Sequence, residues 1–300
     1  MSNQQKDTYS GIRERLDSAL QGLELLKDRE GVSRDYLDLQ TNLVKFRKKA
    51  IARIANTRRI SKNLSEKLTS EALQNPDQGA PIVEAVGLTL EESSPFVDQG
   101  DFPKNVSTAI ETLVQTDPPA SGKIGEWISA VLTPSPKDIS RIASELLIEA
   151  EVLQFLGREL LKPFFHLLAA HHFTDDMRDK WNQGRCPMCN GFPQFARLDK
   201  EVGTRLLWCD LCDVEWKFER LTCPFCGNTE VEKSRYFTVS DDDPMRVTVC
   251  DNCQSYIKTY DERKENVDAQ VLVEDIGSLT LDLIASREGF VHPNLAMSFT

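Results

Sequence analysis

Cys209-Asp210-Leu211-Cys212-Asp213-Val214-Glu215-Trp216-Lys217-Phe218-Glu219-Arg220-Leu221-Thr222-Cys223-Pro224-Phe225-Cys226 carries two Cys-x-x-Cys pairs only ten residues apart. Cys186/Cys189 lies upstream of it and Cys250/Cys253 downstream, and these four pairs account for all 8 cysteines of the 300-residue chain. Two residues between cysteines is the spacing of a tight knuckle, whose turn aims both sulfurs at one tetrahedral metal. Eight such ligands make two complete four-thiolate sites. Cys186, Cys189, Cys209, Cys212, Cys223, Cys226, Cys250 and Cys253 are therefore read as the ligands of two metal ions.

An internal repeat divides the ligands. Cys186-Pro187-Met188-Cys189 resembles Cys223-Pro224-Phe225-Cys226, and Cys209-Asp210-Leu211-Cys212 resembles Cys250-Asp251-Asn252-Cys253. After each of the latter two, Trp216-Lys217 and Ile257-Lys258 fall at the same distance. An A-B-A-B pattern argues for one module repeated in tandem, each a rubredoxin- or zinc-ribbon-like unit with its own metal. The rival is an interleaved cross-brace, first pair with third and second with fourth. Asn190-Gly191 and Gly227, just after two of the pairs, can supply the positive φ and the N–H groups that a turn around sulfur needs.

The rest of the chain reads as helical. Leu39, Leu43, Phe46, Ala50 and Ile54 line one face of a helix whose other side carries Lys45, Arg47, Lys48, Lys49, Arg53, Arg58 and Arg59. Prolines and glycines over 75–105 predict a long connection with at most a short helix around Ile82 to Val86. Helical spacing returns over Val106 to Val114 and Ile124 to Leu132. Ser135-Pro136 with Asp138 signals a helix start, of a helix that could run through Glu149 into Phe155, with Gly157 and Pro163 bending or interrupting it. Leu206 to Trp208, Val214 to Phe218 and Arg246 to Val249 read as strands, and Asn266 to Gly289 as a last helix before a tail. The expected architecture is α+β and multidomain. It has an all-α domain over 1–183, a first four-Cys module over 184–220, a second over 221–263, and a C-terminal helix and tail over 264–300.

Charge and composition narrow the function. The formal net charge is −11, and residues 185–265 hold 12 Lys+Arg against 15 Asp+Glu. Two tetrathiolate metal ions would add about −2 each. This is a poor surface for a phosphate backbone, so nucleic acid is not an expected partner. No apolar run reaches the roughly 18 residues of a spanning helix, so no membrane insertion is expected. The start shows no secretory signal pattern, which predicts a reducing cytoplasm where paired cysteines bind metal. Four sulfur ligands close the coordination sphere and leave no position for a hydrolytic water. The bland reading is that the metals only hold together small, core-poor modules. A redox reading remains open, since four thiolates accept iron as well as zinc. His171-His172 read as surface or core histidines rather than ligands. The basic face from Arg47 to Arg53 reads as solvated, with docking of an acidic partner as the alternative, and Asp275 and Asp282 read as capping or surface acids.

The stretch quoted at the outset resembles the central signature of the formate dehydrogenase accessory proteins, the FdhE family. Cys250 to Lys258 is similar to their last knuckle and following strand, and Asp275-Ile276-Gly277-Ser278-Leu279-Thr280-Leu281-Asp282 with Glu288-Gly289-Phe290 to their C-terminal segment. Asn190 departs from the Gly expected directly after a knuckle, but Asn tolerates the same backbone region. The resemblance implies a cytoplasmic, non-catalytic maturation factor that binds the catalytic subunit of a respiratory formate dehydrogenase before export and carries iron in rubredoxin-like sites. Two other classes stand beside it: a rubredoxin-like electron carrier or thiol oxidoreductase, and a nucleic-acid-binding zinc ribbon.

Overall fold

A computed structural model of the chain describes residues 3–29, 31–57, 80–116, 122–132, 135–238 and 243–296. They fold as two compact units. One holds Asp38–His172 with the residues up to Leu20, and the other holds Gln21–Leu37 with Phe173–Ala296. The fold class is α+β, with helices first and then a sheet bearing two four-Cys clusters. Residues 21–37, read from the sequence as part of the first helical domain, fold with the second unit. Among the described residues no helix is long and apolar enough to cross a membrane.

Helices α1 (Asn3–Leu25) and α2 (Arg34–Asn56) contribute to both units. The first unit continues with α3 (Ala80–Asp98), α4 (Lys104–Thr116), α5 (Gly122–Leu132), α6 (Pro136–Leu146) and α7 (Ala150–His172). Three expectations need correction here. The connection expected over 75–105 is largely α3, because Ile82, Ala85, Val86 and Leu90 bury one face. Its buried Thr89 and Ser93 hydroxyls donate back to the carbonyls of Ala85 and Leu90, which satisfies them without breaking the helix. The helix started by Ser135, whose Oγ accepts from the Asp138 N–H as expected, stops at Leu146 because Leu147 turns left-handed at φ 56°. Neither Gly157 nor Pro163 interrupts α7. A Cβ on Gly157 would stand 2.5 Å from Val131 Cγ2 and 3.3 Å from the Trp127 ring, so this glycine serves close packing of α5 on α7.

The basic side of α2 is also corrected. Arg47 is buried and pairs with Glu159 of α7 at 3.0 Å, while Lys48 pairs with Asp17 and Lys49 lies 4.6 Å from the centre of the Phe96 ring. Arg53 reaches Glu92 at 2.6 Å and also Glu91. Arg47, Lys48 and Arg53 are thus paired with acids of the first unit, and Lys49 lies against an aromatic ring. Arg58 and Arg59 lie outside the described residues.

The second unit is built on one six-stranded sheet. Its strands are β1 (Phe195–Leu198), β2 (Arg205–Cys209), β3 (Val214–Lys217), β4 (Ser234–Phe237), β5 (Met245–Cys250) and β6 (Ser255–Asp261), in the order β3-β2-β1-β6-β5-β4. Each sequence repeat gives an antiparallel three-strand meander, and the two meanders join where β1 runs parallel to β6, from Phe195↔Lys258 to Leu198↔Asp261. The short helices α8 (Asp175–Lys180), α9 (Glu262–Glu265), α10 (Val271–Gly277), α11 (Leu279–Arg287) and α12 (Pro293–Ala296) complete the unit. Phe195, Trp208, Val247, Val249, Tyr256 and Tyr260 pack with Leu281, Ala285 and Phe290 in its core. The single last helix expected over Asn266 to Gly289 is broken at Ser278, whose hydroxyl donates to the Glu274 carbonyl at 2.6 Å. From the segment 21–37, Gly22 approaches Val273 so closely that a Cβ would lie 2.8 Å from its Cγ2, and Gly31 O accepts from Thr280 Oγ1 at 3.1 Å.

Asp275 and Asp282 are not surface acids. Lys258 of β6 is 2% exposed, and its ammonium reaches Asp275 Oδ1 at 2.9 Å and Asp282 Oδ2 at 2.7 Å. Tyr256 Oη donates to Asp282 Oδ1 at 2.8 Å. Burial opposes the Lys258 charge, but the two carboxylates overcome it and raise its pKa, while burial raises that of Asp275. Lys258→Met would leave two half-buried carboxylates without a cation. It is expected to destabilise the unit by about 3–5 kcal/mol in urea unfolding; a cost under about 1 kcal/mol would show the network to be solvated.

A turn in the β1–β2 hairpin gives a pH test. Asp199 accepts from the N–H groups of Glu201, Val202, Gly203 and Thr204 at 2.8–3.1 Å. Partial burial works against its charge, but the Thr204 hydroxyl and these N–H groups outweigh it and bring the pKa from 3.8 down to about 2. A depressed carboxylate stabilises the fold above its unfolded pKa and loses that effect as pH falls towards the folded value. The stability difference between wild type and Asp199→Asn should therefore be constant near neutrality and shrink between about pH 4 and pH 2. A difference that does not vary with pH would contradict this assignment.

Candidate metal centre

The strands explain how the cysteines meet. β2 ends at Cys209 and β5 at Cys250, so each hairpin delivers its knuckle beside the one that precedes the meander. In all four knuckles the residue after the second cysteine is left-handed: Asn190 at φ 57°, Asp213 at 55°, Gly227 at 73° and Gln254 at 53°. Asn190 thus takes the place filled by Gly227 in the equivalent knuckle. The turns close by backbone bonds, with Asn190 N–H donating to Cys186 O at 2.9 Å, Asp213 to Cys209 at 2.8 Å and Gly227 to Cys223 at 3.0 Å. Asp213 and Gln254 carry the same conformation without a glycine signal in the sequence.

The sulfurs gather as Cys186/Cys189/Cys209/Cys212 and Cys223/Cys226/Cys250/Cys253, each set lying within 4.8 Å of one another. This is the tandem partition and not the cross-brace. Cys189 and Cys209 are 3.6 Å apart, and Cys223–Cys253 and Cys226–Cys250 are each 3.8 Å apart. Four sulfurs about 2.3 Å from a central tetrahedral ion would stand about 3.8 Å from each other. The donor sets therefore fit a divalent ion in size and in chemistry, and both clusters could hold one. N–H groups already point at the sulfurs: Met188 to Cys186 and Gly191 to Cys189, both at 3.4 Å, and the Asn252 amide to Cys226 at 3.6 Å. Such donors stabilise thiolate ligands from outside the coordination sphere. His171 and His172 belong to neither set; His171 Nδ1 lies 2.7 Å from Leu167 O within α7.

The thiols of one set cannot all ionise together. In the first, burial pushes Cys186 and Cys212 well up, while hydrogen bonds from Cys186, Cys209 and Cys212 hold Cys189 well down. In the second, burial raises Cys223 and Cys253. Cys226 goes the other way. Its slight burial is outweighed by the Asn252 amide, the Asn228 N–H and the neighbouring thiols, which lower it to about 7. The two sets also differ in exposure. Cys186, Cys209 and Cys212 are buried, whereas Cys226 is exposed and Cys253 half-buried.

Sequence reading passed over the charged side chains around these sets. Arg197 makes a double pair to Glu215, 2.6 and 3.1 Å, and to both oxygens of the fully buried Glu262 at 3.0 and 3.1 Å, tying one repeat to the other. Arg205 opens the otherwise apolar run Leu206-Leu207-Trp208, and a charge in such a place was the visible signal.

A low thiol pKa together with exposure sets reactivity. In metal-free protein near pH 7, Cys226 should be alkylated first by iodoacetamide, as read by mass spectrometry of peptides. First modification at Cys186 or Cys212 would overturn this ordering.

Comparison with known proteins bears on the same region. Residues 221–297 match the family model described as FdhE, C-terminal domain. The protein FdhE homolog of Aquifex aeolicus is 33% identical over 164 residues, 52% of this chain and 56% of that one. The homolog from Proteus mirabilis is 35% identical over 118 residues, 38% of this chain and 37% of its own. The chain thus spans about half or less of the length of the curated relatives it matches. The crystal structure of the FdhE protein from Pseudomonas aeruginosa shares the fold, with a TM-score of 0.66 over 94% of both chains at 20% identity. Residues 221–297 are thus similar to the C-terminal domain of the FdhE family.

Proposed function

We propose that the chain is a cytoplasmic, non-catalytic accessory factor for a respiratory formate dehydrogenase, binding its catalytic subunit before export. In this reading Cys186, Cys189, Cys209 and Cys212 hold one iron or zinc ion, and Cys223, Cys226, Cys250 and Cys253 a second. Each set with its meander forms one metal-folded module, over 184–220 and 221–263. The observation that carries the proposal is the pair of four-sulfur clusters, the second of them inside residues 221–297, which match the FdhE C-terminal domain. Four thiolates per ion leave no open ligand position, which suits a structural or redox centre better than a hydrolytic one.

A tagged chain is expected to co-purify with the catalytic subunit, and its deletion to abolish dehydrogenase activity. No interaction together with normal activity in the deletion strain would overturn the proposal. Metal analysis of anaerobically purified protein should give two ions per chain. The exposed Cys226 favours one second reading, electron transfer or thiol exchange at the second set. A red protein with a thiolate-to-iron charge-transfer band would support it, and a colourless zinc protein would count against it.

A further inference from the structure

Arg205 is 4% exposed, yet among the described residues no carboxylate pairs with it. Its Nη1 donates to the carbonyl of Thr222 at 3.0 Å and more weakly to that of Glu219 at 3.5 Å, while its Nη2 is buried and meets no acceptor. Lys258, also buried in this unit, is paired with Asp275 and Asp282, and the half-buried Arg197 with Glu215 and Glu262. A buried guanidinium without a counter-charge is strongly destabilising. Something negative belongs beside it.

The surroundings say what. Arg205 lines a narrow cleft together with Cys223 and Cys250, the two buried members of the second set. The carbonyl it holds belongs to Thr222, the residue before Cys223. An ion of charge +2 with four thiolates carries −2; at Cys226 this set is exposed to solvent, while Cys223 is only 6% exposed. We propose that Arg205 is the counter-cation of the second metal–thiolate centre, a positioning residue supplied by the first repeat to complete the site of the second. The inference rests on the reading that Cys223, Cys226, Cys250 and Cys253 hold a metal.

The test uses the full chain loaded with zinc and follows metal release to a chromogenic chelator, the phase from the second set being the one that Cys226→Ser removes. Arg205→Gln should speed that phase by about 10- to 100-fold and leave the other phase unchanged. Arg205→Lys, which keeps the charge, should restore most of the wild-type rate. Cobalt loading adds a spectroscopic check: the thiolate-to-cobalt band of the second set should move in Arg205→Gln and return in Arg205→Lys. An unchanged rate in Arg205→Gln, equal loss in both variants, or equal acceleration of both phases would overturn the role of Arg205 while leaving the metal in place. A Cys226→Ser chain that binds and releases as much metal as the wild type would instead overturn the metal reading, and this inference with it.

Discussion

Four sulfur atoms within 4.8 Å of one another cannot all be thiolates unless a cation sits among them, and the second unit is built around two such groups. The backbone is committed to this arrangement. Each knuckle spends one residue in the left-handed region and closes a short turn, and backbone N–H groups face the sulfurs of the first set. A three-strand meander follows each first knuckle and presents the next cysteine pair at the end of its second strand. The covalent spacing, the turn conformation and the hairpin are therefore one device, used twice.

Charge around that device is arranged locally and not by overall balance. Residues 185–265 carry more acids than bases, but the buried cations are placed one by one. Arg197 joins acids from both repeats, and Lys258 holds two helices of the C-terminal segment to β6. Tyr256 shares Asp282 with Lys258, so the strand leaving the last knuckle is fixed within a few residues of Cys253. Arg205 differs from these cations in having no acid, and in bordering the buried side of a sulfur set.

In the first unit, the same physics removes a surface that composition suggests. The run of bases on α2 meets Asp17, Glu91, Glu92 and Glu159, acids that lie 31 to 112 residues away in sequence. Gly157 and Pro163 sit inside α7 without ending it, because the helix is packed nearly all round and tertiary contacts outweigh a single residue's preference.

The sequence alone located the four cysteine pairs, the strands around them and the start of α6, and it favoured the tandem grouping of the cysteines over the cross-brace. All of these rest on residues a few positions apart, where spacing and local backbone preference act directly. It did not reveal that the two repeats share one sheet through β1 and β6, nor the short strands β1 and β4. The pairing of Asp275 and Asp282 with Lys258, the packing role of Gly157 and the contacts of residues 21–37 with the C-terminal helices were equally hidden. Each of these depends on partners distant in the chain, such as Phe195 with Lys258 or Gly22 with Val273. Only the folded chain brings those partners together, so only the tertiary structure could decide them.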